Sequence, residues 1–151
     1  MGRPDRADEG FAGAVERGTV LVDVPVEGAE ALRALLGDAH DVVVCHGPGI
    51  GFLCPVLGET GCRRFERAHG IVFALDLDRP QHRAILLRYR TLAGPNLPIR
   101  VRCRPDQARR HAGILGEVEV WEEEPCPADL DRFTRDVRAG PGPTPRRAHA
   151  G

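Results

Sequence analysis

The chain has 151 residues and balances 21 basic against 22 acidic ones for a net charge of −1, which argues against a dedicated nucleic-acid binder. It contains no Lys and no Ser, and that excludes Ser-triad hydrolysis, Schiff-base chemistry and a P-loop lysine. No apolar run approaches the ~18 residues of a membrane helix, and Met1-Gly2-Arg3-Pro4-Asp5 lacks a signal-peptide core, so a cytoplasmic protein is expected.

The length suits one domain, able to bury roughly 70% of its unfolded surface. Residues 1–17 are polar and Gly/Asp/Arg-rich and read as a flexible segment, with at most a short helix around Phe11–Glu16. Thr19–Val24 reads as a strand. Gly28–Leu36 reads as a helix with Ala29, Leu32, Leu35 and Leu36 on one face. Asp41–Cys45 is a second strand, followed by a long Gly/Pro loop and a short helix near Cys62–His69. Ile71–Leu77 is an apolar run suited to a strand buried on both faces. Gln81–Leu92 follows as a helix that turns Ile85, Leu86, Tyr89 and Leu92 inward. Pro98–Cys103 is a fourth strand, Asp106–Leu115 a helix and Val118–Trp121 a fifth strand. Ala128–Val137 closes the series with Leu130, Phe133 and Val137 at helical spacing. The tail 140–151 is rich in Pro, Gly and Arg and reads as disordered. Residues 18–139 are thus expected to form an α/β domain, a parallel sheet with helices on both faces.

Asp76 and Asp78 fall at the C-terminal end of the third strand, where open α/β sheets place their ligand crevice. Carboxylates there hold a metal or accept a phosphoryl group. The plainer alternative is that Asp78, just before Arg79-Pro80, caps the next helix. On the fourth strand Arg100, Arg102 and Arg104 alternate with Ile99, Val101 and Cys103, and on the fifth Glu117 and Glu119 alternate with Val118 and Val120. Two accounts stay open: a solvated face with Arg paired against Glu across the ladder, or a charged partner surface. His82 reads as a surface histidine at a helix start.

With these residues in order, the stretch from Thr19 to about Ala139 resembles the receiver domain of two-component response regulators, a flavodoxin-like (βα)5 fold. Val20-Leu21-Val22-Asp23 is similar to the family's first strand ending in acid. Asp76-Leu77-Asp78-Arg79-Pro80 is similar to its phosphoacceptor strand, with Pro four positions after the aspartate. Asn96-Leu97-Pro98-Ile99 is similar to its Leu-Pro entry into strand four, and Glu124-Pro125 stands where the family has Lys-Pro. The resemblance implies an acidic pocket of Asp23, Asp76 and Asp78, with Cys103 and Glu124 on its rim. The departures are as telling. Val24 replaces the second acid of the family's Mg²⁺ site, Cys103 stands for its Thr/Ser, and Glu124 stands for its Lys. Mg²⁺ needs several oxygen ligands in octahedral array, so its binding is doubtful here. A carboxylate in place of the Lys repels a phosphoryl group. The resemblance therefore implies a degenerate, stand-alone pseudo-receiver, a bacterial signalling protein acting through a protein partner or self-association rather than by phosphotransfer or as an enzyme.

A second constellation lies in the loop from Cys45-His46-Gly47-Pro48-Gly49 through Cys54 to Cys62. A connection of this length inside a compact domain usually means function or disorder. Cytoplasmic cysteines are thiols or ligands rather than disulfides. Cys45, His46, Cys54 and Cys62 make up the ligand set of a Cys3His zinc site or an iron–sulfur cluster. Redox-active thiols and inert buried thiols are the alternatives. A Cys-His nucleophile pair of Cys45 or Cys54 with His69 has no support in the spacing. The glycines at 47, 49 and 51 are a weak phosphate-cradle signal.

Overall fold

A computed structural model describes residues 17–49 and 51–140. The expected N-terminal segment up to residue 16, its short helix, Ile50 of the glycine loop and the tail from residue 141 lie outside the described residues. Five strands, β1 (Thr19–Asp23), β2 (Asp41–Cys45), β3 (Gly70–Phe73), β4 (Ile99–Arg102) and β5 (Glu119–Trp121), form one sheet in the order β2-β1-β3-β4-β5. Every pairing is parallel. The helices are α1 (Val26–Leu36), α2 (Arg63–Glu66), α3 (Pro80–Ala93), α4 (Pro105–Arg110), α5 (Ala112–Leu115) and α6 (Pro127–Ala139). The chain is a flavodoxin-like three-layer α/β sandwich.

Strand alternation divides the core in two. Leu21, Ile71, Phe73, Ile99 and Val101 face Phe65 of α2, Ile85, Leu86 and Tyr89 of α3, and Leu115 of α5. Val20, Val22, Val72 and Trp121 face Leu32 and Leu36 of α1 and Phe133 and Val137 of α6. The central strands β1 and β3 are covered on both sides, which explains their unbroken Val, Leu, Ile and Phe. Gly70 opens β3 where α6 crosses it: a Cβ there would stand 2.8 Å from a Val137 methyl.

Helix ends are closed from a distance. Arg17 donates from Nη2 to the carbonyls of Gly37 (2.8 Å) and His40 (3.0 Å), setting a cation against the C-terminal end of α1. At α6 the carboxylate of Asp129 reaches back 3.1 Å to the Cys126 amide. His40, 1% exposed, joins the α1–β2 turn to α6 through its Nε2 and Thr134 Oγ1 at 3.0 Å.

Several boundaries differ from expectation. The third strand stops at Phe73 rather than Leu77 because the next carbonyls turn toward α3. His82 Nδ1 bonds the Asp76 carbonyl at 2.9 Å, and Arg83 donates to the Leu77 carbonyl at 2.9 Å. His82 is therefore buried, not a surface histidine. The single helix expected over Asp106–Leu115 is two short ones, broken at His111, whose φ of −114° and ψ of 27° leave helical geometry. The first helix starts two residues early, at Val26.

Candidate functional site

Asp76 and Asp78 project from the β3–α3 turn at the C-terminal edge of the sheet, and both are exposed. Asp76 Oδ1 accepts the Asp78 amide at 3.0 Å, closing a local turn, and accepts Gln107 Nε2 of α4 at 2.7 Å. Asp78 is bound more heavily. Arg110 Nη2 donates to both its oxygens (2.9 and 2.8 Å), and His111 Nε2 meets Oδ1 at 2.9 Å. Gln107 approaches Oδ2 at 3.3 Å. Bonds from His111, then Arg110 and Gln107, hold the Asp78 carboxyl far below the ordinary carboxylate range. The residue at the N-cap of α3 is Arg79, with no side-chain cap bond. Asp78 is therefore an anchor for α4 and α5 and not a helix cap.

Asp23 belongs to a different place. It ends β1 opposite Cys45, on the face that carries Leu21, so its side chain enters the layer beneath α3. It is 2% exposed, and Tyr89 donates its hydroxyl to Asp23 Oδ2 at 2.5 Å. Burial pushes its carboxyl up to about 6, against the opposing hydrogen bonds from Tyr89 and Cys45 and the charge of Arg64. Tyr89 in turn is held protonated, far above its usual range, by burial and by Asp23.

Around this pair lies a cavity of about 70 Å³ whose lining includes Asp23, Cys45, Cys54, Cys62, Arg64 and Tyr89. It opens where β1 and β3 diverge in connection, the switch point at which α/β sheets place ligands. Three of the four loop residues singled out from sequence thus meet, joined by Asp23 from the other predicted set. His46 does not join them: it is exposed, and its Nδ1 bonds the Val24 carbonyl at 2.8 Å. Burial pushes the Cys45 and Cys54 thiols up, so they stay protonated near neutral pH.

The predicted rim separates as well. Cys103 is buried in the α3-side core, whereas Glu124 is exposed and lines a groove of about 350 Å³ on the α1 side with Val24, Pro25 and Arg102. His69 accepts the Thr19 amide on Nδ1 at 2.9 Å, at the start of β1 and so at the opposite end of the sheet from Cys45. The donors do not fit a Mg²⁺ site of the receiver kind. The Asp23 carboxylate is enclosed by a phenol and a thiol, and Asp76 and Asp78 are occupied by Gln107, Arg110 and His111. Among the described residues no group of three or more His, Cys, Asp or Glu is set to hold a metal ion.

Of the charged residues on and beside β4 and β5 only Arg100 is buried, whereas Arg104 and Glu117 are exposed. Arg100 stands opposite Glu119 in register and meets it at 3.2 Å, and α6 covers it with Asp136 at 2.5 Å. The guanidinium lies 5.1 Å from the centre of the Phe133 ring, and Arg100 is 6% exposed. Sequence reasoning took strand four as a solvated or partner face because α6 cannot be placed over it from alternation alone. It also missed Tyr89, Arg64, Gln107, Arg110 and His111 as partners of the acids. A signal for Tyr89 existed: an inward tyrosine needs a partner for its hydroxyl.

No family model matches the sequence, and no curated protein matches it. Among solved structures the chain is similar to that described as the crystal structure of adenylate cyclase from Rhodopirellula baltica. The TM-score is 0.53 at 12% identity, over 79% of this chain and 87% of that one. At such identity the likeness shows the fold alone. No helix among the described residues is long and apolar enough to cross a membrane.

Proposed function

We propose that the chain is a receiver-like regulatory domain that works through protein contacts and without phosphotransfer. The observation that carries this reading is the internal neutralisation of its acidic pair. In a phosphotransfer site the aspartates must be free to meet a cation and a phosphoryl group. Here Arg110 already supplies positive charge to Asp78, His111 bonds the same carboxylate, and Gln107 occupies Asp76. The same bonds tie the β3–α3 turn to α4 and α5, so a partner that engaged Arg110 or His111 would release that turn. The sheet order β2-β1-β3-β4-β5 supports the reading as scaffold only.

Incubation with acetyl phosphate and Mg²⁺, followed by intact-mass measurement, tests it. The expected result is an unchanged mass in both the native chain and Arg110→Ala. A phosphoryl adduct mapped to Asp76 in the native chain would overturn the phosphotransfer-free reading. A second reading, a thiol-based sensor on the same scaffold, is favoured by one observation: Cys45, Cys54 and Cys62 line one cavity.

A further inference from the structure

We infer that Cys54 and Cys62 are a redox pair, closing to a disulfide when the chain meets a hydroperoxide and reopening with a thiol reductant. This rests on the thiol-sensor reading and is independent of the receiver reading.

Both residues line the same small cavity. Burial raises the Cys54 thiol, and negative charge on Cys62, Asp23 or Cys45 raises it further. Both also act on Tyr89, which lines the same cavity. The two residues sit on irregular backbone, which can adjust to the narrow distance range a disulfide requires. Cys54 precedes a short 3-10 turn at Pro55–Leu57, and Cys62 precedes α2, with Gly58 and Gly61 between them to reverse the chain. Gly61 has a φ of +76°, which only glycine adopts freely.

The third thiol is committed elsewhere. Cys45 is locked in the β2 ladder opposite Asp23, and its side chain bonds both Asp23 and Arg64. Cys103 packs in the core at the end of β4, and Cys126 is exposed at the start of α6. The turn after Cys54 is clipped to α3 at two points. The Cys54 amide donates to Gln81 Oε1 at 3.0 Å, and Arg88 Nε donates to the Val56 carbonyl at 3.2 Å. Closing the pair therefore draws the start of α2 onto a segment already fixed to α3.

The chemistry balances with the hydroperoxide as oxidant. Cys62, the more solvent-accessible of the two, attacks as thiolate on the outer peroxide oxygen. The O–O bond breaks, an alkoxide or hydroxide leaves and takes the proton, and a sulfenic acid remains on Cys62. The Cys54 sulfur then attacks the Cys62 sulfur and loses its proton as the S–O bond breaks and water departs. Two thiols give up two electrons and two protons, and the hydroperoxide becomes an alcohol (or water) plus water.

The test uses the reduced full chain, treated with hydrogen peroxide and read by intact mass and peptide mapping, with thiols counted before and after. The expected result is the loss of two hydrogens and of two free thiols, a Cys54–Cys62 cross-linked peptide, and full reversal by dithiothreitol. Cys45→Ala should keep the cross-link and Cys62→Ala should abolish it. The native chain alone carries the result, so a variant that fails to fold does not obscure it. A cross-link that includes Cys45 overturns the pair while leaving the sensor reading in place. Five thiols still free, or oxidation confined to Cys126, overturns both.

Discussion

At Asp23 a carboxyl ends a buried strand with a phenol and a thiol for company, and this arrangement fixes its proton. Its position opposite Cys45 in the ladder leaves no water shell, and burial lifts its pKa from 3.8 to about 6. The sign follows directly. A carboxyl whose pKa is higher in the folded than in the unfolded chain binds its proton more tightly when folded. Its stabilising effect is complete below 3.8 and is lost as pH rises through about 6. At neutral pH the ionised buried group then costs on the order of 3 kcal/mol relative to acid conditions. Asp23→Asn keeps an acceptor for Tyr89 and removes the charge. Urea unfolding should find it more stable than the native chain at pH 8 by roughly 1–3 kcal/mol, with the gap closing toward pH 4. A gap that stays constant with pH would show that Asp23 is already neutral or is solvated. The acid at this strand end was legible in the sequence. Its partner was not, because alternation along β1 says which face a side chain takes but not which helix covers that face.

Among the elements, β4, β5 and α6 meet around one guanidinium. Arg100 is clamped by Glu119 from the neighbouring strand and Asp136 from the helix, with Phe133 beneath it. A buried ion pair is weak evidence of stability by itself, yet removing its partners strands a charge in the core. Glu119→Gln combined with Asp136→Asn should therefore destabilise the chain by about 3 kcal/mol. Arg100→Met, which removes the charge and keeps the apolar stem over Phe133, should cost clearly less, about 1 kcal/mol. Chemical denaturation of the two proteins checks the order, and the reverse order would place the value of the cluster in the guanidinium's own contacts. This triad also shows what alternation reveals. The Arg100–Glu119 pairing was readable because the two neighbouring strands carry opposite charges at alternating positions. The cover of α6 was not, because its apolar positions Leu130, Phe133 and Val137 are compatible with either face. For the same reason the strands and long helices were found close to their true limits. The end of β3 and the break at His111 depend on side chains far away in sequence and escaped.

The whole molecule sums these local proton preferences. Burial lowers the imidazoles of His40 and His82 from 6.5, so the fold favours their neutral forms. Their contribution is present above 6.5 and is lost as pH falls. Asp78, Asp106 and Asp129 are lowered from 3.8 by their bonds to Arg, His and backbone partners. Their contribution is present above 3.8 and lost in stronger acid. Asp23 runs the other way, between 3.8 and about 6. In that window the folded chain takes up a proton at Asp23 while it resists one at His40 and His82, so the two effects oppose each other. The native protein should accordingly show a melting temperature that climbs from pH 2 to about 4 and then climbs less steeply than that of a chain lacking the Asp23 carboxyl, up to about 6. In Asp23→Asn the opposing contribution is gone, so the melting temperature should keep climbing through that window until the histidines are neutral. A calorimetric pH series on both proteins makes the comparison. Parallel profiles would mean that the buried carboxyl does not take part.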